Sequence, residues 1–81
     1  MVKITLGVDG MMCNMCEAHV NEAIRNAFTV KKVSSSHKKG LTEIVAEEEI
    51  PEEKLSAVIG ETGYKLTSYQ SEPYQKRGLF G

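Results

Sequence analysis

Apolar and polar residues alternate at the start of the chain. Val2, Ile4, Leu6 and Val8 are separated by Lys3, Thr5 and Gly7. A period of two predicts a strand with one buried face, and Asp9-Gly10 then supplies a turn signal. From Met15 the period lengthens. Val20, Ala23, Ile24, Ala27 and Phe28 recur at the spacing of one apolar stripe on a helix. Val30 to Ser36 is rich in β-branched and small residues and predicts a second, weakly alternating strand.

His37-Lys38-Lys39-Gly40 predicts a turn in which Gly40 can adopt a positive φ. Leu41 to Ala46 predicts a third strand, with Thr42, Ile44 and Ala46 on one face and Val45 on the other. The pattern does not say which of these faces is buried. Pro51 is placed as the first residue of a second helix, where Glu52 and Glu53 suit the positive end of the helix dipole. Ile50 before it is a poor N-cap residue. Leu55, Val58 and Ile59 form that helix's apolar stripe, and Gly63 is suited to end it. Tyr64 to Tyr69 predicts a fourth strand.

Residues 70–81 carry no periodicity, so the expected division is a domain over 1–69 and a flexible C-terminal tail over 70–81. The order strand, helix, strand, strand, helix, strand predicts an α+β fold. Right-handed crossovers in both βαβ halves give a ferredoxin-like βαββαβ sandwich, a four-stranded antiparallel sheet with two helices on one face.

Size and charge narrow the function. Eighty-one residues make one small domain, which buries only about 60–65% of its extended surface. A net charge of −1 gives no sign of a nucleic-acid binder, which would show a basic excess. No apolar run approaches the roughly 20 residues that cross a bilayer, and the alternating start does not resemble a signal peptide. The expected location is cytoplasmic, where thiols stay reduced and a cysteine pair more often binds metal or does redox chemistry. Lys31, Lys32, Lys38 and Lys39 form a basic stretch, and Glu43, Glu47, Glu48, Glu49, Glu52 and Glu53 an acidic one. Charge runs of this kind usually mark solvated faces, though they can also steer a partner.

The candidate chemistry lies in GMMCNMCEAHV, residues 10–20, which holds the chain's two cysteines. Cys16 falls on the helix stripe that includes Val20, and Cys13 lies in the loop before the helix. A helix N-terminus favours an anion and lowers a thiol pKa. A thiolate is both a better ligand and a better nucleophile, so this alone does not choose between metal and redox. Structural zinc almost always takes four protein ligands, whereas two thiolates suit a soft monovalent d¹⁰ ion such as Cu(I). Such a site also leaves room for a partner's thiolate.

The other residues near the pair are weaker candidates. His19 continues the three-residue spacing of the cysteines, but a polar residue there usually faces solvent. His37 is expected in a turn at the far end of the strands. Met11 is expected to anchor the loop in the core, because methionine most often fills gaps. Met12 and Met15 are the exposed methionines, available for occasional thioether contact. A thioredoxin-type pair would sit at a similar helix start, but Met12 stands where those domains carry an aromatic residue.

Gly10-Met11-Met12-Cys13-Asn14-Met15-Cys16 resembles the GMxCxxC motif of heavy-metal-associated domains, and Gly63-Tyr64 resembles the glycine-aromatic pair in their neighbouring loop. The resemblance, over residues 2–69, implies that Cys13 and Cys16 are the metal ligands, that Met11 supports the loop and that Tyr64 shields the site. An aromatic residue there is usual in the family's bacterial copper chaperones. Met12 stands where zinc and cadmium transporters often carry Asp, which favours copper.

The expectation is therefore a non-enzymatic copper chaperone that carries one Cu(I) per monomer. Its expected partner is the metal-binding domain of a copper-transporting P-type ATPase, or another thiolate acceptor. It would be a monomer when apo, with a metal-bridged dimer open to it and no direct membrane insertion. The alternatives are an N-terminal regulatory domain of such an ATPase, a Zn(II) or Hg(II) carrier and, last, a thiol-disulfide protein.

Overall fold

A computed structural model describes residues 1–74. Six elements follow in the expected order: β1 (Val2–Asp9), α1 (Asn14–Ala27), β2 (Lys32–Ser36), β3 (Leu41–Ala46), α2 (Glu52–Glu61) and β4 (Lys65–Pro73). The strands form one antiparallel sheet in the order β2-β3-β1-β4. This is the ferredoxin-like sandwich, with the core between the sheet and the helix pair. None of the described helices is long and apolar enough to cross a membrane.

Register settles which face of β3 is buried. Ile4 pairs with Ile44, Leu6 with Thr42 and Val2 with Ala46. Side chains directly opposite share a face, so Thr42, Ile44 and Ala46 turn inward with β1's apolar set. Ile4, Leu6, Val20, Ile24, Ile44, Leu55 and Ile59 are fully buried. Truncating one of them to Ala would cost about 2–5 kcal/mol, through lost transfer energy and the cavity left behind.

Thr42 is also fully buried, and its hydroxyl is paired. Ser35 Oγ donates to Asn21 Oδ1 at 2.6 Å, so the Thr42 hydroxyl donates to Ser35 Oγ at 2.9 Å. The α1 helix is thus held to the sheet by apolar contacts along Val20 and Ile24 and by a polar seam along its β2 side. Ala27, placed on the apolar stripe by spacing alone, is exposed at the last turn.

Two boundaries differ from the expected ones. Pro51 is the N-cap of α2 rather than its first helical residue, with φ −59° and ψ 143°. Its carbonyl accepts from Lys54 and Leu55. Ile50 is buried instead of capping, and its carbonyl accepts from the Tyr69 hydroxyl at 2.9 Å.

The second difference is at the C-terminal side. The expected boundary at residue 69 falls inside β4, which runs to Pro73 paired with Val2. The alternation there is broken by a register shift, because Gly7 pairs with Ser68 and Val8 with Leu66. The bulge at Thr67 brings Leu66 and Tyr69, three residues apart, onto the same core face. Beyond Tyr69, Gln70 to Pro73 carry no apolar alternation, so the strand's last residues show no period in the sequence. The remainder of the expected tail, residues 75–81, lies outside the described residues.

The topology brings three connections to one end of the sandwich. They are the β1–α1 loop, the β2–β3 turn and the α2–β4 loop. β1 leads into the first, β3 begins opposite Gly7 and β4 begins opposite Asp9.

Candidate metal centre

Gly10 turns the chain out of β1 with φ 109°, a conformation that disfavours any side chain. A Cβ there would also lie 2.9 Å from Tyr64 Cδ1, so the tyrosine ring rests on the glycine. The next side chain, Met11, points inward and is 7% exposed, while Met12 is 81% exposed. One methionine thus pins the loop to the core and the next stands in solvent beside the cysteines.

Cys13 is the N-cap of α1, with extended backbone and no side-chain capping bond. Its carbonyl accepts from Cys16 N–H at 3.1 Å and from Glu17 N–H at 3.2 Å. The helix start is therefore closed by backbone alone, which leaves the Cys13 thiol exposed and uncommitted. Cys16 lies in the first turn, half-buried against the core. The two sulfurs are 3.7 Å apart, well beyond the roughly 2.05 Å of a disulfide, and both thiols are free.

The surroundings favour a thiolate at Cys16, whose pKa falls from 9.0 to about 7. The largest cause is hydrogen bonding from the Met12 backbone, followed by the Tyr64 side chain, and burial works against both. The Tyr64 hydroxyl is correspondingly pushed up, because its proton is held by Cys16. A partly formed thiolate at neutral pH is the form that binds soft metals.

One histidine lies where expected and the other does not. His19 is exposed on α1. Among the described residues no group of three or more His, Cys, Asp or Glu side chains is gathered to hold a metal. His37 was expected at the far end of the strands and is instead at the cysteine end. The reason is topological, since β2 runs back toward the end where β1 finishes. His37 N–H donates to Glu17 Oε2 at 2.7 Å, and His37 Nδ1 lies 2.6 Å from the same oxygen. Glu17 directly follows Cys16 in α1, and its carboxyl is held below the usual range chiefly by the His37 amide. Sequence spacing carried no signal for this contact, which joins residues 20 apart.

Two free thiols lie together at the start of a helix, one of them with a favoured thiolate, and among the described residues no His, Asp or Glu gathers with them. The chain's fold is that of solved heavy-metal-associated domains, and the Cys13–Cys16 pair is consistent with their motif. No family model matches the chain. A mercuric reductase of Serratia marcescens is 32% identical over 76 residues, which is 93% of this chain and 16% of that protein. A second, from Shigella flexneri, is 30% identical over 78% of this chain and 11% of its own length. The chain therefore spans less than a fifth of the curated relatives it matches.

Among solved structures, a copper binding domain from HMA7, a P-type ATPase, superposes with TM-score 0.73 at 27% identity, covering 86% of this chain and 99% of its own. Oxidized MerP from Ralstonia metallidurans CH34 gives 0.69 at 25%, covering 83% and 96%. The CopZ metallochaperone gives 0.73 at 21%, covering 80% and 98%, a likeness of fold.

Proposed function

We propose that this domain carries a soft d¹⁰ metal ion, Cu(I) in the first reading, on Cys13 and Cys16. It passes the ion to another thiolate site. The observation that carries this reading is a pair of free thiols 3.7 Å apart, with no His, Asp or Glu gathered beside them among the described residues. Two sulfurs satisfy a soft monovalent ion, whereas zinc would ask for two more ligands.

Transfer would proceed by exchange of ligands. An incoming thiol loses its proton and adds to the bound ion, and one of the domain's cysteines then leaves and takes up a proton. The ion stays sulfur-bound throughout, and no electrons move. Exposed Cys13 is the natural first to leave, and half-buried Cys16 the last. The acceptor would be a metal-binding domain of a copper-transporting P-type ATPase or another thiolate site. The domain works as an apo monomer that can form a metal-bridged dimer, in a cytoplasm that keeps both thiols reduced.

A second reading is favoured by the mercuric reductase relatives, whose likeness spans nearly the whole chain. In it the cargo is Hg(II), and the domain hands it onward within or to a larger protein. Competition against a Cu(I) chelator and a parallel Hg(II) titration separate the two. Stoichiometric Cu(I) held against the chelator, and lost in Cys16→Ser, supports the first. Cu(I) stripped at stoichiometric chelator while Hg(II) is retained would replace it with the second.

A further inference from the structure

The β2–β3 turn touches the cysteine loop on both sides. On one side, Val8 at the end of β1 donates its N–H to the Gly40 carbonyl at 2.8 Å. On the other, Glu17 in the first turn of α1 receives two bonds from His37, one from the amide and one at the ring nitrogen. The turn is closed on itself by Gly40 N–H donating to the Ser36 carbonyl at 2.8 Å. The segment from Asp9 to Cys16 is thus bracketed between two contacts to one turn.

The Glu17 contact reaches the site by a short path. Glu17 N–H donates to the Cys13 carbonyl, and its carboxylate is held by His37. Each of the two side chains is about a quarter exposed, at 23% for Glu17 and 25% for His37. Because the ionised Glu17 carboxylate can only accept, the His37 ring donates through Nδ1–H. One turn further along α1, Asn21 repeats the attachment to β2 through Ser35. The first two turns of the helix are therefore held laterally by polar contacts.

We infer that Glu17 and His37 are positioning residues for the metal loop, forming a clasp that holds the start of α1, and with it the spacing of Cys13 and Cys16. Neither touches the metal. The inference rests on the proposed carrier role for its functional consequence, and on the apo structure alone for its geometry. Bonds that orient a ligand are worth roughly 10–100-fold in metal affinity when removed.

The test uses the full chain and four proteins: wild type, Glu17→Ala, Glu17→Gln and His37→Ala. Two quantities are read, amide hydrogen exchange in the apo protein and Cu(I) affinity by chelator competition. Glu17→Ala should speed exchange at the Cys16 and Glu17 amides and weaken Cu(I) binding roughly tenfold, the lower end of that range. Glu17→Gln keeps an oxygen for both His37 donors and should stay close to wild type. His37→Ala keeps its backbone donor and should fall between them, which also provides the reading if Glu17→Ala does not fold.

Exchange that is unchanged at Cys16 and Glu17 overturns the clasp. So does exchange that rises equally at Ile44 and Ile59, because the pair would then stabilise the fold without positioning the loop. If wild type holds no Cu(I), the copper reading fails while the exchange pattern still decides the clasp.

Discussion

The two ends of the sandwich are built in opposite ways. At the cysteine end, each of the three connections contains a glycine with positive φ, at Gly10, Gly40 and Gly63. The β2–β3 turn is bonded to β1 through Gly40 and to α1 through His37, and the Tyr64 ring packs on Gly10. At the other end, the connections after α1 and after β3 contain no glycine. They carry Lys31 and Glu47 to Glu49 around an open depression of about 560 Å³, with Phe28, Val30 and Ile50 in its wall. An exposed ion pair, Lys31 with Glu47 at 3.1 Å, crosses its rim. Two thiols can be held at a set spacing only where the backbone between them has little freedom. The depression brings no soft donors together.

That contrast can be broken most severely at the sulfurs. Cys16→Ser should lower Cu(I) affinity by more than the roughly 100-fold that losing an outer-shell partner can cost, with circular dichroism unchanged. Competition against a chelator measures it. Met11→Ala comes next, because it unpins the loop from the core. It should cost about 2–3 kcal/mol in urea denaturation and weaken metal binding as well. Gly10→Ala forces a side chain into a positive-φ position against Tyr64, which should cost about 1–2 kcal/mol by the same assay.

Tyr64→Phe is a milder test of the electrostatics. Removing the hydroxyl should move the Cys16 thiol upward from about 7 toward 9.0, seen as a shift to higher pH in the alkylation profile of the apo protein. The sign for stability follows from the lowered folded value. The Cys16 contribution is fully present above pH 9.0 and is lost as pH falls through about 7, so Tyr64→Phe should flatten apo stability across that interval. At the opposite end, Lys31→Ala should change stability by no more than about 0.5 kcal/mol, since exposed ion pairs are worth little. It should leave metal binding alone. A larger loss of affinity there would show that the two ends are coupled.

Much of this end could be read from local pattern. Val2 to Val8 and the Val20–Ile24 stripe each announce their geometry through period, and the motif from Gly10 to Cys16 announces a two-sulfur site. Met11 inside and Met12 outside agree with what the motif's resemblance implies. What failed did so for identifiable reasons. The fourth strand runs past Tyr69 because the backbone of Gln70 to Pro73 pairs with Thr5 to Val2, while those residues carry no apolar alternation to announce it. Pro51 was placed one position too far into α2, because its fixed φ suits both sites and Ile50 is drawn into the core.

The sequence by itself determined the elements, their order and the cysteine pair, because periodicity and short motifs are properties of neighbours along the chain. Only the tertiary structure decided that Thr42 faces inward, that His37 reaches Glu17 and that Tyr64 lies on Gly10. Those contacts depend on strand register and on which connections share an end of the sheet. Both are set by long-range pairing, and no local pattern in one strand encodes its partner's alignment.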